Sequence, residues 1–195
     1  MKTIVTLGLI FSIMTIHAQD QTEEQLPYYQ IPDYPETYTA GSVAARTVDG
    51  LGFRYYWATE GLRDEDLAFK PNDDARTSAE TIDHIYGLSK VIVNATLQKP
   101  NVRTDEPEMS FQEKRKQTLI NIKTAADILR TSNDLSKYNI VFQRESGASE
   151  FPFWNNLNGP IGDALWHCGQ VVLLRRSSGN PFNSKVSVFN GKKFD

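Results

Sequence analysis

The chain has 195 residues, a net charge of −3, a pI near 5.7 and 39% hydrophobic residues, a balance that fits one soluble globular domain and excludes a disordered chain or an integral membrane protein. No basic patch points to a nucleic-acid partner. With Cys168 as its sole cysteine, the chain has no intramolecular disulfide, so its stability must come from a buried core.

Residues 1–18 carry Lys2, an apolar run from Ile4 to Ile16 and a small residue, Ala18, before Gln19. That is the layout of a cleavable secretory signal, and the run is too short to span a bilayer well. Cleavage after Ala18 predicts an exported protein, periplasmic or secreted, whose only remaining histidines are His84 and His167. Residues 19–41 are acidic and place Pro27, Pro32 and Pro35 among Tyr28, Tyr29, Tyr34 and Tyr38. They read as an extended arm whose rings pin it to the domain's own surface, with a partner-binding strap as the alternative.

The domain proper is expected over 42–195. Ala44, Val48, Leu51, Tyr55, Ala58 and Leu62 alternate spacings of four and three, which predicts a first helix over Ser42–Leu62, with Tyr55-Tyr56-Trp57 serving as core packing or, alternatively, as the lining of a ligand pocket. An acidic connector follows, and then Thr77-Ser-Ala-Glu80 forms a capping box that opens a second helix over Ser78–Leu97. Its stripe His84, Leu88, Val91, Ala95 points His84 at the core. Asn94-Ala-Thr96 has the form of a glycosylation acceptor but falls inside this helix. A second box, Ser110-Phe-Gln-Glu113, opens a third helix over Phe111–Thr131, with Phe111, Thr118, Ile122, Ala125 and Leu129 inward and Lys114, Arg115 and Lys116 on a solvated face.

The connection from Ser132 to Leu157 is long for a helical bundle. It holds a predicted strand, Tyr138–Gln143, a loop, Glu145–Glu150, and an aromatic knot of Phe151, Phe153 and Trp154. A fourth helix is expected over Pro160–Ser178: Pro160 suits a first helical position, Arg175 and Arg176 complement the macrodipole in the last turn, and Gly179 followed by Pro181 ends it. Apolar residues occur nearly all round this helix, the composition of a buried one. The tail from Lys185 to Gly191 alternates like a short edge strand or strap. The expected fold class is therefore all-α: a four-helix bundle with a long connection between helices three and four and an extended C-terminal tail.

Asp163 and His167 stand four residues apart in the fourth helix and share a face, with Gln170 a turn further on. A carboxylate set beside an imidazole in a buried helix requires compensation. Glu80 lies one turn before His84 and is either a cap or a fourth ligand. Cys168 is rotated about 100° from His167 around the helix and reads as a small buried hydrophobe. Gln170 either orients His167 or binds substrate. No Ser-His-Asp arrangement, phosphate loop or dinucleotide fingerprint is visible.

Two stretches resemble a known family. Leu62-Arg-Asp-Glu-Asp-Leu-Ala-Phe-Lys-Pro71 followed by Thr77-Ser-Ala-Glu-Thr-Ile-Asp-His84 is similar to the segment joining the first helix of the DinB-like (DinB/YfiT) superfamily to a metal histidine on its second helix. Trp166-His-Cys-Gly-Gln-Val171, with Arg175 or Arg176 and Gly179, resembles that family's fourth-helix His-x-Gly-Gln region. The resemblance covers most of Leu51 to Pro181 in order. It implies a four-helix bundle binding a divalent ion, zinc or nickel, through three histidines, two of them spaced His-x-x-x-His on the fourth helix. His84 and His167 match two of these positions, while Asp163 stands in the third. Two histidines and a carboxylate with open positions form an admissible catalytic donor set, so the resemblance implies a divalent metal held by His84, Asp163 and His167, with a metal-free core pair as the competing reading.

The function this implies is metal-dependent hydrolysis or group transfer, with the ion acting as a Lewis acid. Some relatives look like transferases and isomerases that use a low-molecular-weight thiol, a substrate that export argues against because such thiols are cytosolic. The alternative is a non-catalytic exported binding or stress-associated module with a degenerate metal site. The expected partners are a small-molecule substrate of unknown identity and a second copy of the chain in a homodimer, with no nucleic acid and no membrane span.

Overall fold

Reciprocal caps start three of the four long helices in the computed structural model, which describes residues 25–105 and 107–195. The predicted signal, 1–18, and the first residues of the predicted arm, 19–24, lie outside the described residues. Thr39 and Ser42 exchange side-chain to backbone hydrogen bonds at the start of α1, Ala40–Thr59. The boxes Thr77/Glu80 and Ser110/Glu113 form as the sequence requires and open α3, Ser78–Thr96, and α4, Phe111–Arg130. Each box satisfies amide donors that a helix start leaves without partners. Between α1 and α3 a short helix, α2, Asp64–Ala68, occupies what the sequence reading treats as a plain acidic connector.

The last long helix, α6, Gly162–Ser177, has no such cap. It continues from α5, Phe153–Asn156, through a π-helical turn, Leu157–Ile161, in which Gly159 is non-helical (φ −90°, ψ −106°). Pro160 therefore sits in a kink rather than at a helix start. Its missing N–H breaks the regular ladder, and the wider turn absorbs the break. At the other end Gly179 adopts φ +86°, and the amides of Gly179 and Asn180 bond to the carbonyls of Arg176 and Arg175. This is a Schellman stop, with glycine where the left-handed conformation is needed.

The fold is mostly helical but not purely so. Strand β1, Asn101–Val102, pairs in parallel with β2, Ile140–Arg144, which pairs antiparallel with β3, Gly147–Phe151; the registers are Asn101 opposite Phe142 and Ile140 opposite Phe151. A second pair joins β4, Val186–Ser187, to β5, Lys192–Lys193. The all-α expectation is corrected to this extent: the long connection after α4 folds into a small sheet, and the tail into a hairpin.

Helix α1 packs against α4 and α6, and α3 packs against the same two. Val48, Leu51, Tyr55 and Ala58 of α1 enter the core as the seam predicts, together with Leu119, Ile122, Ala125 and Leu129 of α4. On α3 the buried stripe is Ile82, Ile85, Ser89 and Ile92; of the expected stripe Ala95 is buried, whereas His84, Leu88 and Val91 are half-buried at its edge. Both stripes of α3 carry apolar residues, and the isoleucines take the interior, where they remove more apolar surface from water. Helix α6 is likewise less buried than its composition suggests: Ala164, Cys168, Val171 and Leu174 face inward, whereas Trp166 and Leu173 are 73% and 61% exposed.

The arm is pinned by its rings. Tyr28 is buried against Gly52 and donates its hydroxyl to Asp49 Oδ1 at 3.2 Å, and Tyr29 packs against Tyr56 and Trp57 while accepting a bond from Trp57 Nε1. The Ile31 amide bonds to the Gly191 carbonyl, joining the arm to the C-terminal hairpin. Tyr34 and Tyr38 remain exposed.

Candidate metal centre

Where α3 and α6 meet, three side chains converge. Spacing of i,i+4 puts Asp163 and His167 on one face of α6, and the rotation of α3 that buries Ile82 and Ile85 leaves His84 at the rim facing them. His84 Nε2 lies 3.0 Å from Asp163 Oδ2, and His167 Nε2 lies 3.2 Å from Asp163 Oδ1. The two imidazole rings meet edge to face, with centroids 4.7 Å apart. One donor atom from each residue can be chosen so that all lie within 4.8 Å of one another. A tetrahedral ion with bonds of about 2 Å holds its donors about 3.3 Å apart, so this group could hold a metal ion with small adjustments.

The hydrogen bonds around His167 sharpen the test. Its Nδ1 lies 2.7 Å from Gln170 Oε1. A carbonyl oxygen only accepts, so Nδ1 carries the ring proton. With Nδ1 turned to Gln170, the Nε2 atom of His167 faces Asp163 Oδ1 3.2 Å away, the side on which a metal ion would be held. Gln170 thus contacts His167 and also lines the adjoining cleft. No equivalent partner for His84 Nδ1 is found among the described residues.

The competing assignments resolve on geometry. Glu80 uses Oε2 to accept from the Thr77 amide at 2.7 Å and from the Thr77 hydroxyl, which makes it a cap. Cys168 is buried in the core, where desolvation pushes its thiol up to about 12, far from the thiolate form that metals prefer. Asp83, next to His84 in sequence, pairs with Lys114 at 2.7 Å.

The centre opens on a cleft of about 580 Å³, lined by both histidines and Gln170 and walled by Pro71, Ala75, Leu173 and Leu174, with Arg76 among its lining residues. Side-chain exposure is 37% for His84, 41% for Asp163 and 14% for His167. Arg76, Leu173 and Leu174 have no motif to announce them. Arg76 belongs to an acidic connector and the two leucines to an apolar helix, so only the fold brings them to the centre.

A buried network behind the cleft was also hidden from sequence. Asp66 of α2 accepts from Arg63, Ser178 and Asn180, and these partners, Arg63 foremost, hold its carboxyl far below the usual carboxylate range. Arg175 reads in sequence as a last-turn dipole cation, yet its guanidinium is buried and donates to the carbonyls of Trp57, Ala58 and Glu60. Together these contacts fix the C-terminal end of α6 against α1 and α2, and α6 carries two of the three converging side chains.

Comparison with known proteins yields no relative: no family model matches the chain, and neither a curated protein nor a solved structure matches it.

Proposed function

We propose that the chain is an exported DinB-like four-helix bundle, formed by α1, α3, α4 and α6, that holds a zinc or nickel ion through His84, Asp163 and His167 and acts as a metal-dependent hydrolase or transferase after removal of residues 1–18. The reading rests above all on one observation: two imidazole Nε2 atoms meet on a single carboxylate while the Nδ1 atom of His167 lies 2.7 Å from Gln170 Oε1 on the far side of its ring. The sequence resemblance supports it at His84 and His167, which match two of that family's three histidine ligands, while Asp163 departs from the third.

A divalent ion here would supply Lewis-acid chemistry, polarising a carbonyl or phosphoryl oxygen and acidifying a water molecule. The chain's residues supply the rest. Gln170 fixes the tautomer and orientation of His167, and Asp163 adds a negative charge between the two rings. Leu173, Leu174 and Pro71 give the cleft an apolar wall that lowers the local dielectric around the centre. The partial exposure of His84 and Asp163 and the adjoining cleft favour a site reachable by a small molecule over a closed, non-catalytic one. No helix among the described residues is long and apolar enough to cross a membrane.

Cobalt(II) titration tests the assignment. The wild-type chain should develop visible absorption bands that saturate at one equivalent, and His84→Ala should abolish them. A featureless titration of the folded wild type would refute the metal reading.

A further inference from the structure

Arg76 lines the same cleft as His84 and His167, is exposed, and makes no ion pair or hydrogen bond with any described residue. Its charge reaches Glu80, but the Oε2 atom of Glu80 is engaged by the Thr77 cap. The cleft therefore combines a cationic group that lacks a fixed partner with an apolar wall made by Pro71, Ala75, Leu173 and Leu174. Leu173 is 61% exposed, an unusual state for a leucine on a helix whose other aliphatic residues pack inward or lie half-buried. A guanidinium recognises a carboxylate or phosphate through paired N–H donors, and the wall favours an alkyl or aryl body.

From this pairing we infer that the cleft binds small amphiphilic anions, with the acid head on Arg76, the apolar body along Leu173 and Leu174, and the remaining end directed toward His84 and His167. The inference rests on the proposed metal site for what happens to that remaining end, but not for binding itself. The charge of Arg76 favours an anion over a cation or a neutral molecule of the same shape.

Octanoate is a suitable probe. Calorimetric titration of octanoate into the zinc-treated full chain should show saturable binding, while 1-octanol should bind more weakly. Arg76→Gln changes an exposed side chain with no protein partner and leaves the fold intact; it should weaken octanoate by about fivefold, the equivalent of about 1 kcal/mol for one solvent-facing charge pair, and leave 1-octanol unchanged. Equal octanoate affinity in wild type and Arg76→Gln, or octanol binding as tightly as octanoate, would overturn the inference. Zinc content measured on the same samples separates the two ideas. Arg76-dependent octanoate binding without zinc retains the anion cleft and removes the metal reading, whereas stoichiometric zinc without Arg76 dependence does the reverse.

Discussion

Replacing Arg175 with Met keeps most of the buried aliphatic stem and removes the guanidinium. In the structure that group is almost fully enclosed and donates to Trp57 O and Ala58 O at 3.1 Å, to Glu60 O at 3.0 Å and to Asn180 O and Oδ1 at 2.9 and 3.0 Å. The carbonyls of Trp57, Ala58 and Glu60 belong to the end of α1, where a helix has no N–H donors of its own left for its last carbonyls. Each buried carbonyl left without a donor costs about 1–3 kcal/mol, while release of a desolvated charge offsets part of the loss. The expected net destabilisation is about 3 kcal/mol, near the lower end for breaking a buried charged partner. With a urea m-value of about 2 kcal/mol/M, the midpoint should fall by about 1.5 M at unchanged m. Arg175→Lys should recover less than half of this, because one ammonium cannot span the carbonyls of α1 and Asn180 together. A midpoint within about 0.3 M of wild type for Arg175→Met, a shift typical of surface substitutions, would refute the clasp and return Arg175 to the role of an exposed helix-end charge.

Gly52→Ala would place a Cβ 2.4 Å from the Tyr28 ring, so the arm should lift; limited proteolysis near Tyr28 should accelerate and stability should fall by about 1–3 kcal/mol, and protection equal to wild type would contradict the packing. The Asp66 carboxyl is held below its unfolded value, so its contribution to stability is complete above the unfolded pKa of about 3.9 and is lost as pH falls below it. Asp66→Asn should therefore be less stable than wild type at pH 7 and show a flatter decline between about pH 4 and pH 2; parallel urea midpoints across that range would count against it. At the metal centre, Gln170→Leu should lower zinc affinity by about 10- to 100-fold in a chelator competition, whereas Cys168→Ala should leave it unchanged. Equal affinity in Gln170→Leu and wild type would deny Gln170 its orienting role.

How much of this could be read from the chain alone depended on how local the cause was. The boxes at Thr77/Glu80 and Ser110/Glu113 act within four residues, and the helices start where they say. The stop at Gly179 is equally local. The Thr39/Ser42 box escaped notice because serine at its fourth position does not have the usual glutamate or glutamine, and α1 begins two residues earlier than its apolar seam suggests. Helix α2 is only five residues long and is held through Asp66 by Ser178 and Asn180, more than a hundred positions away. Strand β3 could not show alternation because every one of its side chains is exposed. The convergence of Asp163 and His167 follows from helical spacing, and the sequence puts His84 on the right helix but not on the face it takes, because two apolar stripes compete on α3 and only packing against α4 and α6 chooses between them.

The amount of metal bound per chain tests the central claim most directly. Elemental mass spectrometry of the purified chain, dialysed against zinc or nickel and then against metal-free buffer, should give one equivalent for wild type, a reduced amount for Asp163→Ala and none for the His84→Ala, His167→Ala double variant, with helical circular dichroism preserved in each. A folded wild type that retains no metal, or a double variant that retains as much as wild type, would contradict the assignment of His84, Asp163 and His167.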